Sequence, residues 1–214
     1  MGVEAPHRSP QRPWQHFDLV QAAARAAALV HRDHVRKGTS VPYLAHLWAV
    51  AGLVLEHGGD DVQVAAALLH DAVEDHGGHT RLAEVRERFG DEVADLVAEL
   101  SDSLVDTTAG QPKAPWKERK VAYLAHLAAA GPRVQLVAAC DKLHNARSVL
   151  LDLRAIGPAV WSRFNQSDPA EQLWYHRRAA AVLSVAAIPL VLSDVLTRTV
   201  DALTDLATQD DPTL

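Results

Sequence analysis

The hydrophobic pattern of the chain is the feature that most constrains its fold. From Asp18 onward apolar residues recur at helical spacing, and short breaks rich in glycine or proline separate successive stretches. Alanine and leucine, which favour helices, supply much of the apolar content. No segment alternates apolar and polar residues between turn signals, as a half-buried strand would. The sequence therefore predicts an all-α, single-domain bundle of about 8–10 helices.

Capping residues and helix breakers predict where the main helices begin and end. The first helix should run to about Arg36, because Gly38 follows. The last long helix should bend at Pro189, because proline removes a backbone donor. The expected helix starts are Asp18, Pro42, Asp60 or Asp61, Thr80 and Asp168.

Other segments carry their own expectations. Residues 1–15 contain several prolines and are predicted to form a flexible N-terminal arm, with the folded domain covering residues 16–208. Residues 102–115 lack an apolar period and should form an exposed loop. Residues 179–192 are the most apolar run, which is too short to span a bilayer and is expected to be a buried core helix.

Charge and cysteine content limit the possible function classes. The net charge of −6 argues against a general nucleic-acid-binding protein, although a small anion held by local arginines remains possible. The single cysteine, Cys140, excludes an internal disulfide and fits a reducing compartment, so a buried, inert thiol is expected. The polar N-terminal residues show no secretory signal. These features predict a cytoplasmic protein without membrane association and leave its oligomeric state open.

Four residues of the types that bind metals lie on three separate segments: His46, the adjacent pair His70-Asp71, and Asp141. Two imidazoles and two carboxylates can bind one divalent cation and leave positions for water. Such a mixed site suits Mn, Fe, Zn or Mg rather than a structural thiolate site. A lone histidine on an apolar helix is usually a core residue, but the combination favours a metal site.

Two further carboxylates, Glu74 and Asp75, follow the His-Asp pair. Glu74 stands four residues after His70 and three after Asp71, which places it on the same helical face. The alternative is an ordinary charge pattern on a solvated helix. However, the apolar residues 65–69 lead directly into His70, so this helix should enter a core. Glu74 and Asp75 are therefore predicted to orient or deprotonate water in a hydrolase.

Several short motifs accompany these residues. They are Arg36-Lys37-Gly38-Thr39, Pro42-Tyr43, His46, His70-Asp71-x-x-Glu74-Asp75, Phe89-Gly90 and Asp141-Lys142-Leu143-His144-Asn145-x-Arg147. Together they resemble the HD superfamily of metal-dependent phosphohydrolases, and more narrowly the stand-alone RelA/SpoT-type alarmone hydrolases. The resemblance covers about residues 23–148, with a weaker match to residue 175. Nothing resembles the synthetase or regulatory domains of that family.

The resemblance implies an HD-type helical bundle with one divalent metal ion, typically Mn²⁺. It also implies a small phosphorylated nucleotide as substrate, (p)ppGpp or a related purine nucleotide, from which the 3′-diphosphate is removed. Glu74 and Asp75 would activate or position water. The residues implied to bind the substrate are Arg36, Lys37, Tyr43, Arg119, Lys120, Asn145, Arg147 and Tyr175.

The chain departs from the family pattern at a few positions. Ser40 and Val41 are inserted where the base should be recognised, Leu47 replaces a proline, and His76 stands where threonine is common. The aromatic and amide residues in the range 161–165, with Trp174-Tyr175, fit either a pocket wall or ordinary packing.

Two other functions remain open on the sequence alone. One is an HD phosphohydrolase that acts on a different nucleotide, such as a 5′-monophosphate or a 3′-phosphorylated dinucleotide cofactor. The other is a non-catalytic module that binds a nucleotide as a signal or neutralises a toxin. The presence of all four candidate ligands and both following carboxylates weighs against the non-catalytic function.

Overall fold

The computed structural model describes residues 17–210, apart from His76, Thr107 and Thr108, and this part of the chain is almost entirely helical. It contains a single isolated antiparallel bridge and no extended strand. The all-α prediction is confirmed, whereas the predicted N-terminal arm lies outside the described residues. The nine α-helices of the described part are α1 Phe17–Val30, α2 Leu44–Glu56, α3 Asp61–Asp75, α4 Gly78–Phe89, α5 Asp91–Leu100, α6 Trp116–Ala129, α7 Pro132–Ile156, α8 Pro169–Ser184 and α9 Leu190–Asp210.

Helix α3 lies at the centre of the main core. It packs against α1, α2, α4, α5 and α7. The apolar run predicted to enter a core, residues 65–69, is buried along its whole length. Helix α7 extends from this core into a second one that contains Trp161, which follows α7 in the 3-10 helix Gly157–Arg163. Trp161 therefore serves ordinary packing rather than a pocket wall.

Helix α1 is shorter than predicted, because it ends at Val30 and not near Arg36. The following residues form a narrow hairpin, in which the Arg36 amide donates to the Val41 carbonyl and the Tyr43 amide donates to the His34 carbonyl. These bonds across the hairpin replace those that a longer helix would make within itself.

The hairpin is held by a close contact at its turn. Gly38 has φ +67°, and a Cβ there would lie 2.5 Å from Cγ of Arg163. Any other L-residue at this position would therefore be both strained and crowded. The inserted residues Ser40 and Val41 are exposed near the hairpin tip, so the insertion extends the tip without disturbing the core.

The predicted single helix after Asp168 is wrong, since α8 ends at Ser184 and α9 begins at Leu190. Pro189 lacks an amide donor and disfavours helical geometry in the residue before it, so the chain breaks instead of bending. The predicted buried run 179–192 is also only partly buried, because Val185 and Leu190 are 87% and 84% exposed. Within the described residues, none of the helices has the length and apolar character that crossing a membrane requires.

Cys140 is buried next to Asp141, as predicted. Burial raises the pKa of its thiol to about 12, and the charge of Asp141 acts in the same direction. The thiolate needed for nucleophilic or redox chemistry is therefore strongly disfavoured.

Candidate metal centre

The structure brings the four predicted metal ligands to one place. His46 lies on α2, His70 and Asp71 lie on α3, and Asp141 lies on α7. His46, His70 and Asp141 are buried and offer ligand atoms that all lie within 4.8 Å of one another. One oxygen of Asp71, Oδ2, lies 3.1 Å from Nε2 of His70 and 3.5 Å from Nε2 of His46. Two helices that pack on the central α3 thus complete the cluster that its His-Asp pair begins.

The spacing of these atoms suits a divalent cation. Nε2 of His46 and Nε2 of His70 lie 3.3 Å and 3.7 Å from Oδ1 of Asp141. Ligand atoms about 2.1 Å from an ion, at angles between octahedral and tetrahedral values, lie roughly 3.0–3.4 Å apart. The observed separations are therefore close to those of a coordination sphere.

The hydrogen bonding of His70 also fits a metal ligand. Its Nδ1 lies 2.7 Å from the Ala67 carbonyl oxygen, which can only accept, so Nδ1 carries a proton. When the ring is neutral, the lone pair on Nε2 is therefore the one available to a cation. Nε2 is buried and has no hydrogen-bond partner among the described residues. A cation at this position would bind the lone pair that the protein leaves unused.

The electrostatics of the cluster favour a positive charge. Burial lowers the pKa of His70, but Asp71 and Asp141 outweigh that effect and hold it well above the usual value. The pKa of Asp71 is held well below its usual range, because the charge of His70 chiefly overcomes the opposing effect of burial. Buried carboxylates of this kind require a proton or a cation between them. The cluster is thus able to hold one divalent ion.

Each of the other candidate ligands has an outer hydrogen-bond partner. The Tyr43 hydroxyl donates to Oδ2 of Asp71 at 2.6 Å. Lys142 Nζ and Asn145 Nδ2 donate to the two oxygens of Asp141, at 2.7 Å and 2.6 Å. Nδ1 of His46 lies 2.8 Å from Nδ1 of His144. Such partners fix the orientation of ligands. Lys142 and His144 carry no site role in the sequence prediction, which treated them only as parts of a motif.

A second group of charges surrounds Glu74. Lys113 Nζ donates to Oε1 of Glu74 at 3.0 Å, and Nη1 of Arg119 lies 3.7 Å from the same oxygen. Arg119 and Lys120 both donate to the buried carboxylate of Asp102. Asp102 and Lys113 were missed because nothing in the sequence links them to Glu74. The prediction that the loop 102–115 is exposed is therefore only partly right, because the side chain of Asp102 is buried against Arg119 and Lys120 of α6.

The pKa values of these two carboxyl groups move in opposite directions. Burial raises the pKa of Glu74, and the negative charge of Asp102 raises it further, against the opposing charges of Lys120 and Lys113. Burial also acts to raise the pKa of Asp102, but the charge and hydrogen bond of Lys120 bring it down to about 2. A pKa moved toward neutrality suits a group that exchanges protons. The side chain of Asp75, the other predicted catalytic residue, lies outside the described part.

The predicted substrate-binding residues are distributed around the cluster. Both terminal nitrogens of Arg36 lie 3.4 Å from Oδ1 of Asn145, which itself donates to Asp141, so this pair adjoins the metal ligands. Tyr43 contacts Asp71 directly, whereas Lys37 is exposed on the hairpin. On another side, Lys120 Nζ lies 4.9 Å from the ring centroid of Tyr175.

An open groove adjoins the cluster between α2 and α7. Its volume is about 480 Å³, and its lining includes His144, Arg147, Ser148 and, on α2, Leu53 and Glu56. Arg147, a predicted substrate-binding residue, therefore lies beside an open space that reaches the outer partner of His46. The Ser148 hydroxyl donates to the His144 carbonyl of its own helix.

A helical bundle that brings together two histidines and two aspartates from three helices has the arrangement expected of an HD domain. The model of the HD domain family matches residues 22–164, and the chain belongs to that family.

Individual similar proteins indicate which members of the HD domain family this chain resembles. The chain is 35% identical over 147 residues to guanosine-3′,5′-bis(diphosphate) 3′-pyrophosphohydrolase MESH1 of Xenopus tropicalis, covering 67% of this chain and 74% of that protein. It is 39% identical over 143 residues to MESH1 of Mus musculus, covering 65% and 72%. A solved structure, described as a metazoan ortholog of SpoT that hydrolyses ppGpp, matches with a TM-score of 0.64 and 25% identity, covering 91% and 97%.

Proposed function

We propose that the protein is a metal-dependent phosphohydrolase that releases pyrophosphate from the 3′ position of ppGpp or a related purine nucleotide. The observation that supports this function best is the cluster of His46, His70, Asp71 and Asp141, next to a group of basic side chains. The MESH1 relatives are named as 3′-pyrophosphohydrolases, and this activity agrees with the chemistry of the cluster. Mn²⁺ is the proposed ion, and the cytoplasm is the proposed location.

The proposed site divides the work between a metal-binding part and an anion-binding part. A divalent cation supplies Lewis acidity and a water molecule of lowered pKa when it is bound. Glu74, whose pKa is raised, accepts or returns a proton on the water that attacks the phosphorus. Asp75 is proposed to assist Glu74. Lys113 holds the Glu74 carboxylate by its hydrogen bond at 3.0 Å and so fixes the direction from which the proton moves.

Basic side chains are proposed to hold the substrate by contact. The net charge of −6 provides no long-range attraction for a polyanion, so local cations must supply it. Arg36 presents a planar fork beside Asn145, which suits a base or a phosphate group, and Arg147 lines the groove. Arg119 and Lys120 are already paired with Asp102. In the proposed complex these two cations would interact with both the Asp102 carboxylate and the diphosphate.

A panel of nucleotides tests the proposed activity. Purified protein with Mn²⁺ should release pyrophosphate from ppGpp or ppApp, and chelation should stop the reaction. If 5′-monophosphates or 3′-phosphorylated cofactors are hydrolysed and ppGpp and ppApp are not, the protein is instead a phosphohydrolase that acts on a different nucleotide. Nucleotide binding without turnover, at saturating metal, would favour the non-catalytic module.

Arg36→Ala should raise KM by about tenfold and lower kcat by less, the scale of one charged hydrogen bond. The contact of Arg36 with substrate is proposed to exist in both the ground state and the transition state, which predicts this division. Steady-state kinetics on ppGpp measure it. Arg32→Ala is a matched control, because Arg32 is exposed and pairs with the adjacent Asp33. A fall in kcat at unchanged KM would contradict the proposed role.

Asp102→Asn should shift the limb of the pH–rate profile that belongs to Glu74 toward lower pH. The carboxylate of Asp102 raises the pKa of Glu74, so its neutralisation lowers that pKa. The release of Lys120 and Arg119 from their pairing acts in the same direction. The profile of kcat against pH, compared with wild type, measures the shift. An unchanged profile or a shift toward higher pH would show that Asp102 does not act on the group that titrates.

A further inference from the structure

The two histidines of the candidate metal cluster have hydrogen-bond partners of different kinds at Nδ1. His70 faces the Ala67 carbonyl, which can only accept, so the proton of His70 is fixed on Nδ1. His46 instead faces another imidazole, with its Nδ1 at 2.8 Å from Nδ1 of His144. An imidazole nitrogen can donate or accept, so the hydrogen bond between the two rings can exist in either direction.

Only one direction is compatible with metal binding. Nε2 of His46 faces Oδ1 of Asp141 at 3.3 Å and Oδ2 of Asp71 at 3.5 Å, so this nitrogen must be free of a proton to act as a ligand. The proton of a neutral His46 then stands on Nδ1 and is donated to His144. If His144 donated instead, the proton of His46 would stand on Nε2 and occupy the metal position.

His144 meets the requirements for accepting this bond. A neutral His144 with its proton on Nε2 has a free lone pair on Nδ1, the atom that lies 2.8 Å from Nδ1 of His46. His144 is carried by α7, the helix that also provides Asp141, and its ring centroid lies 4.8 Å from that of His46. The ring is thus held by the same helix that completes the metal cluster.

We propose that His144 is a positioning residue that holds His46 in the tautomer with its proton on Nδ1 and thereby preforms the metal site. This inference rests on the proposed metal-dependent function and concerns only affinity for the ion. His144 also lines the open groove, so a ligand in the groove that contacts this ring would influence the metal ligand behind it.

Two substitutions separate the hydrogen bond from the volume of the ring. His144→Leu removes the acceptor but keeps an apolar side chain of moderate size. His144→Asn restores an acceptor, since Oδ1 of asparagine stands the same number of bonds from Cα as Nδ1 of histidine. Ser148→Ala is the matched control, because it removes a hydrogen bond one turn away that does not involve His46.

Mn²⁺ affinity, measured by competition with a fluorescent chelator, provides a readout independent of turnover. His144→Leu should weaken Mn²⁺ binding by about 10- to 100-fold, the usual effect of losing an outer partner of a metal ligand. His144→Asn should stay within about threefold of wild type, as should Ser148→Ala. Circular dichroism of the metal-free proteins checks that each variant keeps its helices.

The tautomer itself can be observed. In the metal-free protein at neutral pH, ¹⁵N NMR of the imidazoles should show His46 protonated on Nδ1 and His144 on Nε2. A proton on Nδ1 of His144, or equal affinity in wild type and in a folded His144→Leu, would overturn the proposal. If wild type binds no Mn²⁺ at all, the proposed metal site fails together with it, whereas wild-type binding with an unaffected His144→Leu refutes this inference alone.

Discussion

The double substitution His70→Ala, Asp71→Ala should abolish both metal binding and hydrolysis. Purified wild-type protein is expected to bind about one Mn²⁺ per chain, because four ligand atoms converge at a single position. The double variant removes an imidazole and a carboxylate from the centre of that cluster, and two remaining ligands from separate helices hold a cation weakly. Metal content after gel filtration and turnover of ppGpp measure the two effects.

The matched control replaces the same residue types on exposed faces. His126→Ala with Asp201→Ala changes α6 and α9 at exposed positions and should leave metal content and activity near wild type. Full metal occupancy in the His70→Ala, Asp71→Ala protein would place the ion elsewhere and refute the assignment. The variant should keep its helical content. Both members of a mutually attracting pair are removed together, so neither is left buried without its partner.

Glu74→Gln should lower kcat by roughly 10²-fold or more while leaving Mn²⁺ bound. Glutamine keeps the size and polarity of the side chain but cannot exchange a proton. In the structure Glu74 pairs with Lys113 and neighbours Arg119. The pKa of Glu74 is raised, whereas the pKa of the proposed ligand Asp71 is held low. The same loss is predicted for Asp75→Asn.

Kinetics at saturating metal, with parallel measurement of metal content, distinguish catalysis from metal retention. Glu87→Gln, an exposed position on α4, is the control for the same chemical change. Near-normal turnover in both Glu74→Gln and Asp75→Asn would show that other groups handle the water. Loss of the metal in Glu74→Gln would instead make this residue part of the metal site.

Local patterns in the sequence were sufficient to predict the elements that carry the site. His70, Asp71 and Glu74 stand at helical spacing behind an apolar run, so their placement on one face of a core helix follows from periodicity. The sequence Phe89-Gly90-Asp91 is similarly local in its effect, since α4 ends at Phe89, Gly90 has φ 87° and α5 begins at Asp91. Capping and periodicity act over a few residues, which is why sequence alone reveals them.

Predictions that depended on distant contacts were less successful. The end of α1 was placed too late because the hydrogen bonds between the segments near Arg36 and Val41 compete with helix formation and leave no periodic signal. At Pro189 the sequence predicts a bend within one helix, whereas the structure has a break between α8 and α9. The position was predicted correctly, but the kind of interruption was not. Asp102 was assigned to an exposed loop because its burial depends on Arg119 and Lys120, which reach it from another helix.

The sequence by itself determined the all-α fold, the four metal-ligand-type residues and the carboxylates that follow the His-Asp pair. Each of these depends on residue type and on spacing within one helix. Only the tertiary structure decided which side chains complete the site: His144 against His46, Lys142 and Asn145 against Asp141, and Lys113 against Glu74. Hydrogen bonds and charge effects act over a few ångströms in space, so pairs such as His46 and His144, which stand 98 residues apart in the chain, become neighbours only through the packing of α2 on α7.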